Sequence, residues 1–323
     1  MQNEINILIL SCGTRNKIVQ YFKKELKGKG KVIATDCSPL APALYEADKH
    51  YIVPRIDEDG YLDTILTICK ENKVKGVLTL IDPEISLLAE NKKAFLDVGT
   101  TPIVSDFDIV EISFDKYKMY TYLVENNFPT VLSFINKNDF YKAVELGIIN
   151  YPVFVKPVKG SASININKIY SKEEIEILFG RYNDLIIQEF MVGKEYGIDV
   201  YIDMLSKEPV SIFIKEKIKM RAGETDKSVS VKDERLMNFI RDFVIKTGYK
   251  GIVDIDLFER EGNYFISEVN PRFGGGYPHA YENNINVPKM IINNLEGNIN
   301  PNICGLYESG NYMLKFNELK FMK

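Results

Sequence analysis

The sequence predicts an N-terminal α/β domain followed by an α+β region, on three observations. The first hundred residues alternate compact apolar runs with segments of helical apolar spacing, the rhythm of a parallel sheet covered by helices. After LIIQEFM (185–191), strands follow one another directly with a single helix among them. The length of 323 residues provides for two or three domains at roughly 150 residues each.

Taken in order, INILIL (5–10) is a compact apolar strand, NKIVQYFKKELK (16–27) has helical spacing, and KVIATD (31–36) is the second strand. HYIVP (50–54) reads as a third strand, YLDTILTICKENK (61–73) as a helix and VKGVLTL (74–80) as a further strand. Such an alternation leaves ligand space beyond the strand C-termini. The turn after the first strand, Ser11-Cys12-Gly13-Thr14-Arg15-Asn16, is not G-x-G-x-x-G, so it gives little support to a dinucleotide site. A boundary falls near TTPIVSDFD (100–108), where the alternation lapses. Beyond it come a helix, DKYKMYTYLVENN (115–127), closed by Phe128-Pro129, and a strand, YPVFVKP (151–157). SKEEIEILFGRY is a helix capped by Ser171 with Glu174 at its third position. GIDVYID (197–203), PVSIFIKEKIKM (209–220), GIVDIDLF (251–258) and NYFISEVN (263–270) are strands, with DERLMNFIRDFVIKTG (233–248) the helix between them. There is no internal repeat and no low-complexity segment.

Composition narrows the chemistry. Lys plus Arg is 41 and Asp plus Glu is 45, giving a formal charge of −4, too little positive charge to suggest a nucleic-acid partner. Apolar residues make up 45%, and no apolar run approaches the ~20 residues of a membrane helix. The N-terminus MQNEINILIL reads as the first strand of a cytoplasmic protein rather than as a signal peptide. Cys12, Cys37, Cys69 and Cys304 lie far apart without C-x-x-C spacing, so reduced thiols are expected and a thiolate zinc site is not. With only His50 and His279, a His-rich metal site is excluded and a Ser-His-Asp triad has two residues to choose from. The expected chemistry therefore runs on Lys, Arg, carboxylates and backbone.

The strongest local signal is the last pair of strands. Asp254 and Asp256 alternate on one face of their strand, as Glu268 and Asn270 do on the next. The short connection Glu259-Arg260-Glu261-Gly262-Asn263 makes these strands an antiparallel hairpin. One register sets Asp254 opposite Glu268; a shift of two sets Asp256 opposite Glu268. In either, carboxylates and an amide oxygen converge, and like charges facing each other destabilise a hairpin unless neutralised. Oxygen ligands with room for waters and phosphate suit Mg²⁺. From these two strands alone, a metal site and a solvent-facing polar side are equally good readings. The run that follows, Pro271-Arg272-Phe273-Gly274-Gly275-Gly276, adds an arginine suited to phosphate oxygens and glycines that let backbone approach a ligand.

These residues resemble the ATP-grasp superfamily, and within it stand-alone proteins similar to one half of the carbamoyl phosphate synthase large subunit. The resemblance rests on E-V-N-P-R-F-G-G-G (268–276), G-I-V-D-I-D-L-F (251–258), P-V-F-V-K-P (152–157) and Q-E-F-M-V-G-K-E-Y (188–196). It implies a pre-ATP-grasp α/β domain over 1–105 and an α+β two-lobed ATP-grasp domain, with the small lobe over 106–186 and the large lobe over 187–323. It further implies that Asp256, Glu268 and Asn270 hold two Mg²⁺ ions, Mn²⁺ being the substitute ion, between the phosphates of ATP. Relatives often carry Gln or Glu where Asp256 stands. Lys156 and Lys116 resemble the phosphate-binding lysines, and Arg272, with Lys156, the catalytic cations. Lys159-Gly160-Ser161-Ala162-Ser163 resembles the loop that closes over the phosphates, with one glycine where relatives have two or three. Gln188, Glu189, Phe190 and Met191 resemble the segment around adenine, and Glu195 the acid that binds ribose. Arg221, Gly275 and His279 are implied at the substrate end; His279 reads equally well as a packed or capping residue, and His50 reads as structural.

Periodicity adds one feature of its own. Phe213, Lys215, Lys217, Lys219 and Arg221 point one way from their strand, forming a basic ridge, and an edge strand guarded by lysines is the expected setting for Lys215 and Lys217. The activity implied by the resemblance is that of an ATP-dependent carboxylate-amine ligase acting through an acylphosphate on small-molecule acids and amines, in a cytoplasmic protein whose homodimerisation is left open. The rivals are a phosphotransferase on the same fold and a non-catalytic nucleotide-binding subunit. Full carbamoyl phosphate synthesis is not expected, since it uses two tandem halves and this chain has length for one.

Overall fold

The computed structural model describes residues 4–160 and 167–321. The N-terminal alternation is β1 (Asn6–Leu10), α1 (Asn16–Leu26), β2 (Val32–Asp36), β3 (Lys49–Ile52), α2 (Tyr61–Glu71), β4 (Val74–Thr79), α3 (Asp82–Glu90), α4 (Lys92–Asp97) and β5 (Thr101–Pro102). Its strands form a five-stranded parallel sheet in the order β3-β2-β1-β4-β5. β1 and β2 are buried along their whole length, which is why they read as unbroken apolar runs rather than alternating ones. The turn after β1 and the start of α3 after β4 therefore lie together beyond the strand C-termini.

Next come α5 (Phe107–Phe114), α6 (Lys116–Glu125), β6 (Ser133–Phe134), α7 (Lys137–Glu145), β7 (Val153–Pro157), β8 (Asn167–Ile169), α8 (Lys172–Arg181) and β9 (Leu185–Glu189). A four-stranded antiparallel sheet runs β6-β9-β7-β8, with Phe140 of α7 and Ile175 of α8 in its core. The expected cap of α8 is present: Ser171 Oγ accepts from the Glu174 N–H at 3.4 Å. The Glu174 carboxylate accepts in turn from Tyr170, one residue before the cap.

The remainder is β10 (Lys194–Ile202), β11 (Pro209–Arg221), β12 (Glu224–Val231), α9 (Glu234–Thr247), β13 (Gly251–Arg260), β14 (Asn263–Asn270), α10 (Pro278–Glu282), α11 (Val287–Leu295) and β15 (Tyr312–Leu314). Its six-stranded antiparallel sheet runs β14-β13-β10-β11-β12-β15. One face packs on α9 and on Met119 and Leu123 of α6. On the other face, Tyr201 and Phe213 share a core with Phe273 and Tyr277 and with Ile7, Ile9 and Phe22 of the N-terminal domain. The parallel sheet and the large antiparallel sheet thus bury a common apolar layer, and their polar ends meet at one cleft.

The edge-strand expectation for Lys215 and Lys217 is corrected here. β11 lies inside the sheet between β10 and β12, and Lys215 is 1% exposed. The covering strand escapes a hydrophobicity scan because its buried side chains are Thr225, Asp226, Ser228 and Ser230.

Candidate active site

A cleft of about 960 Å³ opens where the three sheets meet. Its floor is the β13–β14 hairpin. Asp256 pairs with Glu268 and Asp254 with Asn270, and a bulge after Asp256 slips the rest of the ladder so that Phe258 faces Phe265. Of the two registers open to the sequence, the one with Asp256 opposite Glu268 holds at the site. All four oxygen-bearing side chains share one face, as the period of two demands. Burial drives the Asp254 carboxyl well above the usual carboxylate range, with Asp256 adding to the effect. Desolvation pushes Glu268 the same way, yet Lys156, Lys116 and Arg272 outweigh it and hold this carboxyl below its ordinary value.

Two elements bring the lysines to Glu268. Lys156, near the end of β7, is 8% exposed; burial lowers its pKa, with Glu268 the foremost opposing charge. Lys116 opens α6, whose first turn is fixed by Asp115 Oδ1 accepting from the Tyr117 and Lys118 N–H groups at 3.0 Å each. A bridge between Asp115 and Lys159 ties this start to the chain leaving β7. Lys116 Nζ donates to the Gly160 carbonyl at 2.6 Å and stands 4.0 Å from Glu268 Oε1. Ser161, with the rest of the expected closing loop to Ser163, lies outside the described residues.

At the other end of the cleft, Gln188 and Glu189 finish β9, and Met191 and Phe154 join them in the wall. The Gln188 side chain is buried and donates to Ser133 Oγ at 3.1 Å; the Glu189 carboxylate pairs with Arg260. Phe190 departs from expectation. It packs edge-on against Phe154, ring centroids 5.3 Å apart, with Lys168 Nζ 3.7 Å from its own ring centroid, so Phe154 rather than Phe190 faces the cleft. Glu195 lines the cleft and accepts from Lys217 Nζ at 2.9 Å, and the same ammonium lies 2.7 Å from Asp256 Oδ1. Burial works against the charge on Lys217, but Asp256 and Glu195 more than offset it and raise its pKa.

The far end of the cleft adds Arg15 and Glu224, which no local motif marked, to Arg221, Arg272 and Gly275. Arg272, deeply buried, places Nε 2.9 Å from Asp82 Oδ1 at the start of α3, and its Nη2 donates to Asp82 Oδ2 at 3.0 Å. Arg15, from the turn after β1, sets Nη2 2.9 Å from Glu224 Oε1. That turn needs Gly13 at φ +49°, and the Gly13 N–H is held by Asp36 Oδ2 at 2.8 Å. Arg221 and Gly275 both line the cleft, and Arg221 Nη2 lies 2.9 Å from Asp226 Oδ1. His279 does not line it: 2% exposed, its ring joins Ser228 Oγ at 2.8 Å and the Asn311 carbonyl at 3.0 Å, and burial lowers its pKa to about 4. The packed reading of His279 therefore replaces the substrate one. His50 lies in β3 with its ring edge-on to Tyr45.

Among the described residues, no three His, Cys, Asp or Glu side chains gather as a cation cage. The donors that do converge are oxygens only, the Asp256 and Glu268 carboxylates and the Asn270 amide, in a cleft with room for phosphate and water. That chemistry fits a hard, partly hydrated Mg²⁺.

An α/β domain fronting two antiparallel lobes, with lysines and carboxylates in the cleft between them, defines a class of two-lobed nucleotide-binding proteins. The family profile of the ATP-grasp domain matches residues 113–276, and that of the PylC-like N-terminal domain matches 7–103; the chain belongs to the ATP-grasp family. It is 27% identical over 299 residues to formate-dependent phosphoribosylglycinamide formyltransferase of Wolinella succinogenes, covering 84% of this chain and 70% of that one. It is 22% identical over 236 residues to the arginine-specific carbamoyl phosphate synthase large chain of Geobacillus stearothermophilus, covering 70% of this chain but only 22% of that protein. The biotin carboxylase domain of Hydrogenobacter thermophilus 2-oxoglutarate carboxylase, solved with MgADP and bicarbonate, shares the fold with a TM-score of 0.74 at 18% identity, over 95% of this chain and 73% of that one.

Proposed function

We propose that this protein is an ATP-dependent carboxylate-amine ligase: ATP phosphorylates a substrate carboxylate to an acylphosphate, ADP leaves, and an amine displaces phosphate to form an amide or peptide bond. The observation that carries this reading is the convergence of Lys116, Lys156 and Arg272 on Glu268, three cations whose combined effect keeps this half-buried carboxylate ionised. A carboxylate is a poor electrophile at neutral pH, and its activation requires cations placed where phosphoryl charge develops.

Under this reading residues 1–105 form the pre-ATP-grasp domain, 106–186 the small lobe and 187–323 the large lobe. Gln188, Glu189 and Met191, with Phe154, receive adenine, and Glu195 takes the ribose hydroxyls while keeping Lys217. Lys116 and Lys156 grip the phosphates, with Lys116 also holding the Gly160 carbonyl at the root of the closing loop. Glu268 and Asn270, with Asp256 opposite, would hold two Mg²⁺ ions, Mn²⁺ substituting. When bound, such ions neutralise phosphate charge. Arg272 steadies the oxygens of the transferring phosphoryl group, and the depth of the cleft excludes water from the acylphosphate.

The test is ADP release across a panel of acids with hydroxylamine as the accepting amine, which traps acylphosphates as hydroxamates. Lys156→Ala and Glu268→Ala should each lower it by about a hundredfold or more, with the far-UV circular dichroism unchanged. Full activity in either variant sinks the assignment, and ADP release with neither amine dependence nor inorganic phosphate points to phosphotransfer instead.

A further inference from the structure

The end of the cleft remote from the adenine wall carries more cation than the reaction requires. Arg15, Arg221 and Lys315 gather there, and among the described residues their ion-pair partners are Glu224 and Asp226. Each Glu224 oxygen already has a cation: Oε1 is 2.9 Å from Arg15 and Oε2 is 2.8 Å from Lys315 Nζ. Arg15 does have a donor group to spare. Its Nη1 is buried without a hydrogen-bond acceptor, although the residue itself lines the cleft and its side chain is 22% exposed. Arg221 is half exposed, with Asp226 its one carboxylate partner. Space between these groups and the phosphate site is kept by Gly275, where a Cβ would lie 2.8 Å from the Glu224 carboxyl carbon. A substrate ammonium would find Glu224 already neutralised, whereas an anion would find a guanidinium whose Nη2 is held by Glu224 and whose Nη1 still lacks an acceptor, a donor suited to carboxylate or phosphate oxygens.

We propose that the acid activated in this cleft carries a second, non-reacting anionic group, a carboxylate or a phosphate, which Arg15 receives with Arg221 beside it. The inference rests on the ligase reading of the same cleft and makes Arg15, supplied by the N-terminal domain, a specificity-determining residue. The reacting carboxylate lies toward Arg272 and the phosphates, and the distal anion turns toward the β1 turn.

Calorimetric titration of the full chain loaded with MgADP decides it, using malonate, succinate and glutarate against their carbon-matched monoacids propionate, butyrate and valerate, with phosphonoacetate as the phosphate arm. At least one dianion should bind about tenfold or more tightly than its monoacid, the size expected of one charge-assisted contact. Arg15→Gln should erase that preference, and Arg15→Lys, which keeps the cation on Glu224 but loses the fork, should leave an intermediate one. Should Arg15→Gln fail to fold, Arg15→Lys together with Arg221→Gln, a change at a half-exposed side chain, carries the comparison. Phosphonoacetate binding in preference to every dicarboxylate assigns the distal group as phosphate, and the reverse assigns it as carboxylate. Equal binding of dianions and monoacids, no binding of any acid, or a preference that survives Arg15→Gln overturns the inference. Hydroxamate formation is scored separately: dianion preference without hydroxamate from any acid overturns the ligase reading and leaves the distal-anion site standing.

Discussion

Asp82 and Arg272, 190 positions apart in the sequence, meet between the N-terminal domain and the six-stranded sheet, Nε to Oδ1 at 2.9 Å and Nη2 to Oδ2 at 3.0 Å. The arginine that the proposed mechanism would offer to the phosphoryl group is thus oriented by a carboxylate of the N-terminal region. Both side chains are more than nine-tenths buried, so each depends on the other for charge compensation.

Asp82→Asn should therefore lower kcat about tenfold to a hundredfold, the effect of misplacing a positioned group, with a smaller change in the KM for ATP. Asp82→Glu should recover part of the loss. Steady-state ADP release for the three proteins checks this, and an unchanged kcat in Asp82→Asn would show that Arg272 is held well enough by Asp254 and its own backbone contacts.

A second consequence concerns the fully buried pair Lys215 and Asp199, 2.5 Å apart. Lys215→Met leaves an unpaired buried carboxyl and is expected to cost about 3–5 kcal/mol, while the double variant Lys215→Met with Asp199→Leu should recover most of it. Denaturant midpoints of the two singles and the double close the cycle; additive losses would mean the pair contributes nothing beyond packing.

Acid stability should depend on His279. Its folded pKa of about 4 lies below the ordinary 6.5 because burial disfavours the imidazolium, so between those values the unfolded chain binds more protons than the folded one. The stability difference is full above about pH 6.5 and is lost as pH falls to about 4, amounting to roughly 3 kcal/mol. In His279→Asn, melting temperatures followed across this window should decline less steeply with acid than in the parent, whatever the absolute offset.

The glycine run admits no side chain at its first position. A Cβ at Gly274 would lie 2.3 Å from Asp254 Oδ1, so Gly274→Ala is expected to destabilise by about 1–3 kcal/mol through overpacking and to displace the hairpin carboxylates. Loss of MgATP binding beyond the loss of stability, read by calorimetry at low temperature, would register that displacement.

How much of this was legible follows from how local each signal is. The hairpin carboxylates, Lys156 before its proline and Lys116 after its capping Asp115 each sit in a short run whose spacing fixes the face they occupy, and the structure brings them together. Phe190 and His279 show the limit: their residue types suited a pocket, but Phe154 on the neighbouring strand took the wall, and Ser228 and Asn311 enclosed the imidazole. β12 was illegible because its buried side chains are polar, so the strand left no apolar period to read, and its absence made an interior strand look like an edge.

The sequence by itself determined the α/β alternation of the N-terminal region, the antiparallel hairpin near the end and the cluster of lysines and carboxylates along it, because these depend on alternation, caps and turns spanning a few residues. Only the tertiary structure decided which hairpin register holds, that Lys215 and Lys217 are buried ion-pair partners rather than a solvent ridge, that Asp82 meets Arg272, and that Arg15 belongs to the cleft. The physical reason is that a charge is tolerated in the interior only when an opposite charge from elsewhere in the chain meets it there, and that meeting is a property of packed sheets rather than of any stretch of sequence.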